Sequence, residues 1–312
     1  MLTDTDKKKR QGRITGSTIG VLVGLHKYKT IIDVWRAIVE GLDDVDPLSS
    51  DILRGKHLET PIIEWYCERS GETIRPVETR VHPQYSFLAA TADGELLRGD
   101  DPVMVVEVKA PRFPWDWGEP DTDQIPDYHV PQQVLEMACY DLPATKTLAL
   151  LNGDVAEYNI QRDLELEQHL IGVAEDFWRS YILTRRPPPP DATKAYGKYL
   201  ESRYPGSNKE ILEADTEQED LLRLYFEAEH RVEQAEEKKQ GLRNLICDAI
   251  GGAHGIAGEC GKVSWSPVEG RTTVDWKAVA KEAGVSDDLI ARHTKQGNGY
   301  RRFFPKKAKG TP

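Results

Sequence analysis

The sequence predicts an α/β chain, α+β in detail: a central mixed β-sheet flanked by helices, then a long C-terminal helix and a small β module. Three observations carry this expectation. Val103 to Lys109 is a β-branched run bounded by Pro102 and Pro111, the pattern of a strand. Thr147 to Ile160 reads as two strands joined at Asn152-Gly153, a dipeptide suited to a tight hairpin turn. Leu53 to Ser70, Gln132 to Tyr140 and Leu164 to Leu183 place apolar residues at helical spacing around these strands.

Taken in order, Ser17 to Gly24 opens a helix with Thr15 or Ser17 as its cap. In the helix from Leu53, residues Leu58, Ile62, Ile63, Trp65 and Tyr66 recur at helical spacing, and Gly71 stops it. Val77 to His82 and Phe87 to Ala92 are short strands, and Pro143 ends the helix from Gln132. Pro187 to Pro190, following Arg185 and Arg186, marks a boundary and a semi-rigid spacer. The expected division is a catalytic domain over 1–186, a proline-rich linker over 187–212 and an accessory region over 213–312.

In the accessory region Leu221, Tyr225, Ala228, Val232, Ala235, Leu242, Ile246 and Ala249 form a four-three seam broken by Lys239. Such a seam suits a coiled-coil-like helix, or equally a helix packed on its own domain. The small β module comprises Lys262 to Ser266, a Glu269-Gly270 turn, Thr272 to Asp275, a helix from Trp276 and a basic aromatic strand, Tyr300 to Phe304.

The 312 residues carry 41 Lys+Arg against 52 Asp+Glu, a net charge of -11. Bulk charge therefore does not advertise nucleic-acid binding, and any DNA contact must use a local basic patch. The polar start, with Lys7, Lys8, Lys9 and Arg10, has no apolar core of a secretory signal, and no apolar run approaches a membrane span. Cys67, Cys139, Cys247 and Cys260 lack metal or cluster spacing and read as reduced cytosolic thiols.

The chemistry-bearing residues cluster in one stretch. Thr91-Ala92-Asp93-Gly94 precedes Val106-Glu107-Val108-Lys109. Strand alternation puts Glu107 and Lys109 on one face, and a turn at Asp93 brings a second carboxylate to them. Two carboxylates on rigid strands, with the Val108 carbonyl as a further ligand, form a hard-oxygen site for Mg²⁺ or Mn²⁺. Lys109 would orient or help deprotonate a water, or neutralise a phosphate. Taken alone a strand Glu-x-Lys is usually a solvated face, but Val105, Val106 and Val108 make this strand read as buried. Glu59, in Arg54-Gly55-Lys56-His57-Leu58-Glu59, would complete the metal set from a helix, although acidic residues are also ordinary in a first helical turn. Gln132 or Gln133 would contribute from the start of the following helix. Trp115 and Trp117, just past the strand, suit either packing or stacking on an unpaired base.

The order Gly-x-x-x-Glu, Asp-Gly, Glu-x-Lys, then Gln before a helix resembles the lambda-type exonuclease and YqaJ-like viral recombinase family of PD-(D/E)XK nucleases. Gly55 to Glu59 matches the first motif. Thr91 and Ala92 replace the family's Ser-Pro before Asp93-Gly94, and Ala110 replaces Cys after Glu107-Val108-Lys109. Gln132 fits a Gln-x-Gln-x-x-Met pattern ending at Met137, with Val134 in place of the second Gln and His129 where the family has Tyr; registration on Gln133 is the alternative. Arg13-Ile14-Thr15-Gly16-Ser17 resembles the segment that anchors a DNA 5′-phosphate, which implies Arg13 and Ser17 for that role.

The resemblance covers roughly residues 10 to 185. It implies a restriction-endonuclease-like core and metal-dependent hydrolysis of linear duplex DNA, 5′ to 3′, in phage-type recombination. The implied catalytic set is Glu59, Asp93, Glu107, Lys109 and Gln132, and the implied metal set Glu59, Asp93, Glu107 and Val108. It further implies double-stranded DNA, a single-strand annealing protein and a homo-oligomer as partners, no membrane, and the cytoplasm of a bacterial host of a phage or prophage. The competing readings are an endonuclease or CRISPR-adaptation-like nuclease on the same core, and a non-catalytic DNA-binding assembly protein.

Overall fold

A computed structural model describes residues 3–42 and 50–295. The chain divides into two compact units, 1–202 and 203–312.

The first unit runs α1 (Asp4–Arg10), β1 (Ile14–Thr15), α2 (Gly16–Leu22), α3 (Ile31–Val39), α4 (Ser50–Ser70), β2 (Thr73–Arg75), β3 (Arg80–Val81), β4 (Leu88–Ala90), β5 (Gly94–Arg98), β6 (Asp101–Lys109), α5 (Val130–Tyr140), β7 (Ala144–Leu151), β8 (Asp154–Gln161), α6 (Leu164–Phe177) and α7 (Lys194–Arg203). Its main sheet has the order β2-β5-β6-β7-β8, in which only β6 and β7 run parallel. This is the expected mixed sheet. The parallel pair needs a crossover, and the segment carrying α5 supplies it. A second small sheet has the order β1-β4-β3.

Alternation along β6 divides its side chains between two cores. Val106 packs with Ile62 and Tyr66 of α4, Leu148 and Val155, while Val105 joins the cluster that holds Val134 and Met137 of α5. Both faces of the sheet are therefore covered, which accounts for the nearly continuous valines of β6. Pro102 lies near the start of β6, opposite Leu97 and beside a register shift, where a missing N–H costs least. Gly94 lets β2 and β5 approach closely: a Cβ there would stand 2.5 Å from Ile74 Cγ2 and 3.2 Å from the Arg75 carbonyl oxygen. Tight strand packing is thus the physical reason for the Asp-Gly dipeptide.

Three sequence expectations need correction in this unit. The linker assigned to 187–212 begins too early, because α7 buries Tyr196 and Tyr199 in the first unit's core, with Tyr199 edge-on to Trp35 at 5.9 Å. The helix expected over Leu164 to Leu183 is α-helical to Phe177 and continues as a wider π turn, Trp178–Ile182. Asp93 precedes a strand, β5, that had not been expected.

In the second unit α8 (Thr216–Ile250) spans 35 residues and starts at a capping box between Asp215 and Gln218. Its seam residues Leu221, Val232 and Leu242 are exposed. A hairpin of β9 (Gly255–Gly258) and β10 (Gly261–Ser264) follows, then α9 (Trp276–Glu282) and α10 (Asp287–His293). The hairpin corrects the expected module: β10 pairs backwards with β9, and neither the Glu269-Gly270 turn nor a strand at Thr272 to Asp275 forms. Gly255 allows this closeness, since a Cβ there would stand 2.2 Å from the Val263 carbonyl oxygen. The strand expected at Tyr300 to Phe304 lies outside the described residues.

Candidate active site

The edge of β6 beyond its pairing with β5 is where the site forms. The Asp93 N–H donates to the Val106 carbonyl at 3.0 Å, and the Val108 N–H donates to Asp93 Oδ2 at 2.7 Å. Pairing of β5 with β6 begins only at Gly94 and Val106. A strand residue sends its N–H and C=O to the same side, so the Val108 carbonyl opens towards Asp93.

Glu107 and Lys109 share the face covered by α5, as alternation requires. Lys109 Nζ donates to Glu107 Oε1 and, at 3.2 Å, to Gln132 Oε1. Gln132 Nε2 donates to Glu107 Oε1 at 2.7 Å and to Glu136 Oε1 at 2.8 Å. Gln132, not Gln133, is therefore the glutamine that meets Glu107 and Lys109; Gln133 is fully buried and donates to Thr147 Oγ1 at 2.7 Å.

Glu136 was not anticipated. It is buried and stands one helical turn after Gln132, an ionisable side chain on an inner face of α5 that is apolar apart from Gln132 and Gln133. That mismatch was the available signal. Gly16 permits α2 to approach this network, because a Cβ there would stand 3.2 Å from Gln132 Cγ and 3.4 Å from Glu136 Oε1.

The electrostatics are those of crowded carboxylates around Lys109, with Arg10 close enough to feel Glu136 and Glu107. Burial, then Glu107 and Glu59, holds the Asp93 carboxyl well above the usual carboxylate range. Burial, then Glu107, does the same to Glu136. Burial works to lower the Lys109 ammonium, but Glu107, Asp93 and Glu136 more than offset it, and Lys109 stays charged. Lys109 is thus a cation that stabilises negative charge, and a poor proton acceptor in this state. Burial, then Lys109 and Lys27, lowers His129 to about 3, so its ring is neutral.

The residues expected to hold a metal are brought together only in part. Glu59 is near enough for its charge to raise Asp93, yet no group of three His, Cys, Asp or Glu side chains forms an ion cage among the described residues. What remains is two carboxylates and a backbone carbonyl. Glu107 Oε2 is buried without a hydrogen-bond partner, an orphaned anionic oxygen of the kind a cation would satisfy. Mg²⁺ commonly uses one or two carboxylates and keeps several waters, so the donor set fits it.

The Arg13–Ser17 pair does not form. Arg13 donates to the Ser86 carbonyl at 2.7 Å and to the Lys9 carbonyl at 2.7 Å, both main-chain contacts. Arg10, on α1, is the guanidinium that reaches Ser17: it donates to Ser17 Oγ at 3.3 Å and to Thr91 Oγ1 at 3.0 Å. A cavity of about 230 Å³ adjoins these groups and is lined by Ser17, Lys27, Lys109, Tyr128, His129 and Gln132 among others. A larger groove of about 1000 Å³ lies in the second unit against Leu242, Ile246 and Trp265; it is mainly apolar and contains none of the site residues.

Comparison with known proteins finds a family match for part of the chain. Residues 7–146 match the YqaJ-like viral recombinase domain. The resemblance carried by the motifs is thereby shown for this stretch, which holds Glu59, Asp93, Glu107, Lys109, Gln132 and Glu136. The chain is similar to the uncharacterized protein YqaJ of Bacillus subtilis, 22% identical over 267 residues, with 84% of this chain and 82% of that one covered. Among solved structures it is similar to an alkaline exonuclease, LHK-Exo, from Laribacter hongkongensis, at 18% identity and a TM-score of 0.47, over 57% of this chain and 91% of that one. It is also similar to a phage-related exonuclease from Haemophilus somnus, at 12% identity and a TM-score of 0.40, over 55% of this chain and 96% of that one. No helix among the described residues is long and apolar enough to cross a membrane.

Proposed function

We propose that this chain is a divalent-metal-dependent deoxyribonuclease that hydrolyses linear duplex DNA from its ends, 5′ to 3′, in phage-type recombination. The observation that carries the reading is the orphaned, buried Glu107 carboxylate oxygen in a cluster with Asp93, Lys109 and Gln132. Asp93, Glu107 and the Val108 carbonyl would hold Mg²⁺ or Mn²⁺. When bound, the ion polarises the scissile phosphate and lowers the pKa of a coordinated water.

The protein's own groups do the rest. Lys109 places a positive charge where the phosphate becomes more negative. Gln132 holds both Lys109 and Glu107, which keeps the cation and the carboxylate in register. Arg10, Ser17 and Thr91 supply a guanidinium and two hydroxyls beside the cleavage centre, donors suited to a terminal 5′-phosphate. This set replaces Arg13 in the reading of how an end is recognised. A single-strand annealing protein and a second copy of the chain are the proposed partners, the exposed seam of α8 being the surface for self-association.

Digestion of 5′-end-labelled linear duplex and of closed circular duplex, each with Mg²⁺ and with EDTA, tests the proposal. Release of short labelled products from linear DNA only, and only with Mg²⁺, supports it. Rapid cutting of closed circles would make the chain an endonuclease.

A further inference from the structure

The segment leaving β6 holds three large aromatic residues that behave in opposite ways. Trp117 packs against Tyr158 and His129, with ring centroids 5.1 and 5.7 Å away. Phe113 and Trp115 do not pack into a core. They stack on each other at 6.1 Å with planes 17° apart, and they are 55% and 80% exposed. Burying rings of this size would stabilise the fold, and that gain is forgone here. A purely structural role is met by Trp117 and leaves the other two unaccounted for.

The segment is held at several points. The Arg54 guanidinium donates to the Ala110 carbonyl at 2.9 and 3.2 Å, and the Trp117 N–H donates to the Pro114 carbonyl at 3.0 Å. Asp116 pairs with Lys27 at 3.4 Å. Lys27 in turn lies 4.2 Å over the Tyr128 ring and lines the cavity that contains Lys109 and Gln132. The segment that carries the two exposed rings is thus tied, through Asp116 and Lys27, to the cavity lined by Lys109 and Gln132. The Arg112 guanidinium stands 5.2 Å from the Phe113 ring centre and adds a positive charge.

Resting on the nuclease reading above, we propose that Phe113 and Trp115 form a platform on which an unpaired base of the entering strand stacks, with Arg112 near its phosphate. Every base offers a π-face, so the platform is indifferent to sequence but not to pairing. In a paired duplex only the terminal base pair exposes such a face. The substrate class would then be ends that are frayed or carry an unpaired 5′ stretch, taken in preference to fully paired blunt ends.

The test uses the full chain carrying Asp93→Asn, to bind without cutting, and two duplexes with 2-aminopurine near the 5′ end. One has a blunt end closed by G·C pairs and the other a short unpaired 5′ stretch. Phe113→Ala and Trp115→Ala should each weaken binding of the unpaired end about tenfold. They should also lift the quenching of its 2-aminopurine, while binding of the blunt end changes less than twofold. Trp115→Phe should retain most of the difference. Both rings are exposed, so thermal unfolding should not move. Equal weakening on both duplexes would overturn the platform. So would no change on either, which would assign the rings to a protein contact. If the parent protein binds neither duplex, the nuclease reading falls as well, an outcome distinct from the other two.

Discussion

At the scale of single residues, the site is decided by where a few side chains spend their hydrogen bonds. Arg10 and Arg13 lie one turn of chain apart, yet Arg13 is consumed by two backbone carbonyls and Arg10 reaches Ser17 and Thr91. Each guanidinium makes two hydrogen bonds, but Arg10 spends its on hydroxyls, which can turn to share a phosphate, and Arg13 on main-chain carbonyls, which fix it in place. Arg10→Ala should therefore abolish any preference for 5′-phosphorylated over 5′-hydroxyl ends. Arg13→Ala should leave that preference in place and reduce thermal stability instead. Rates on the two kinds of end, measured for both variants, decide it; a preference that survives Arg10→Ala contradicts the assignment. Sequence placed the anchor at Arg13 because its spacing to Ser17 fitted a motif. The contact of Arg10 with Thr91 spans 81 positions and has no local signature.

At the scale of elements, α1 has to be pinned for Arg10 to stand where it does. Asp6 does this: it accepts from the Thr79 N–H at 2.7 Å and from the Thr3 N–H at 2.9 Å and hydroxyl at 2.6 Å. Burial alone would raise this carboxyl, but these hydrogen bonds outweigh it and hold Asp6 well below the usual range. A depressed carboxyl contributes stability that is full above its unfolded pKa, about 4, and lost as pH falls through the folded value. Asp6→Asn should thus cost about 1–3 kcal/mol at neutral pH, and the gap to the parent should close progressively below about pH 4. Denaturant unfolding across that range measures it, and a gap that widens in acid would refute the account. The seven polar residues of α1 have no apolar period, so in the sequence only the Thr3–Asp6 capping pair marks the helix. The strand β6, the hairpin at Asn152-Gly153 and α5 were legible because each has a strong periodic or turn signal. Which of Gln132 and Gln133 faces the site was not, since neighbouring helical residues differ by about 100° and only packing selects between them.

At the scale of the whole molecule, the proline run is not the edge of the first compact unit. Tyr196 and Tyr199 lie beyond it and are buried in that unit's core, with Tyr196 Oη donating to the Pro188 carbonyl at 2.9 Å. A chain ending at Ser202 should fold and keep metal-dependent cleavage. One ending at Arg186 should lose about 3–6 kcal/mol from two buried tyrosines or fail to remain soluble. Equal stability of the two would restore the earlier boundary. The net charge of -11 coexists with a site of local cations, Arg10, Lys27 and Lys109, so the acidic balance of the chain says little about its substrate. The central claim is that Asp93, Glu107 and Lys109 form a metal-dependent phosphodiesterase centre. Single-turnover cleavage of linear duplex in Mg²⁺ by the parent, Asp93→Asn and Glu107→Gln, with DNA binding measured in parallel, tests it most directly. The expected result is loss of cleavage by a factor on the order of 10³ or more in both variants, with binding and folding retained. Cleavage at the parent rate in either variant would contradict the claim.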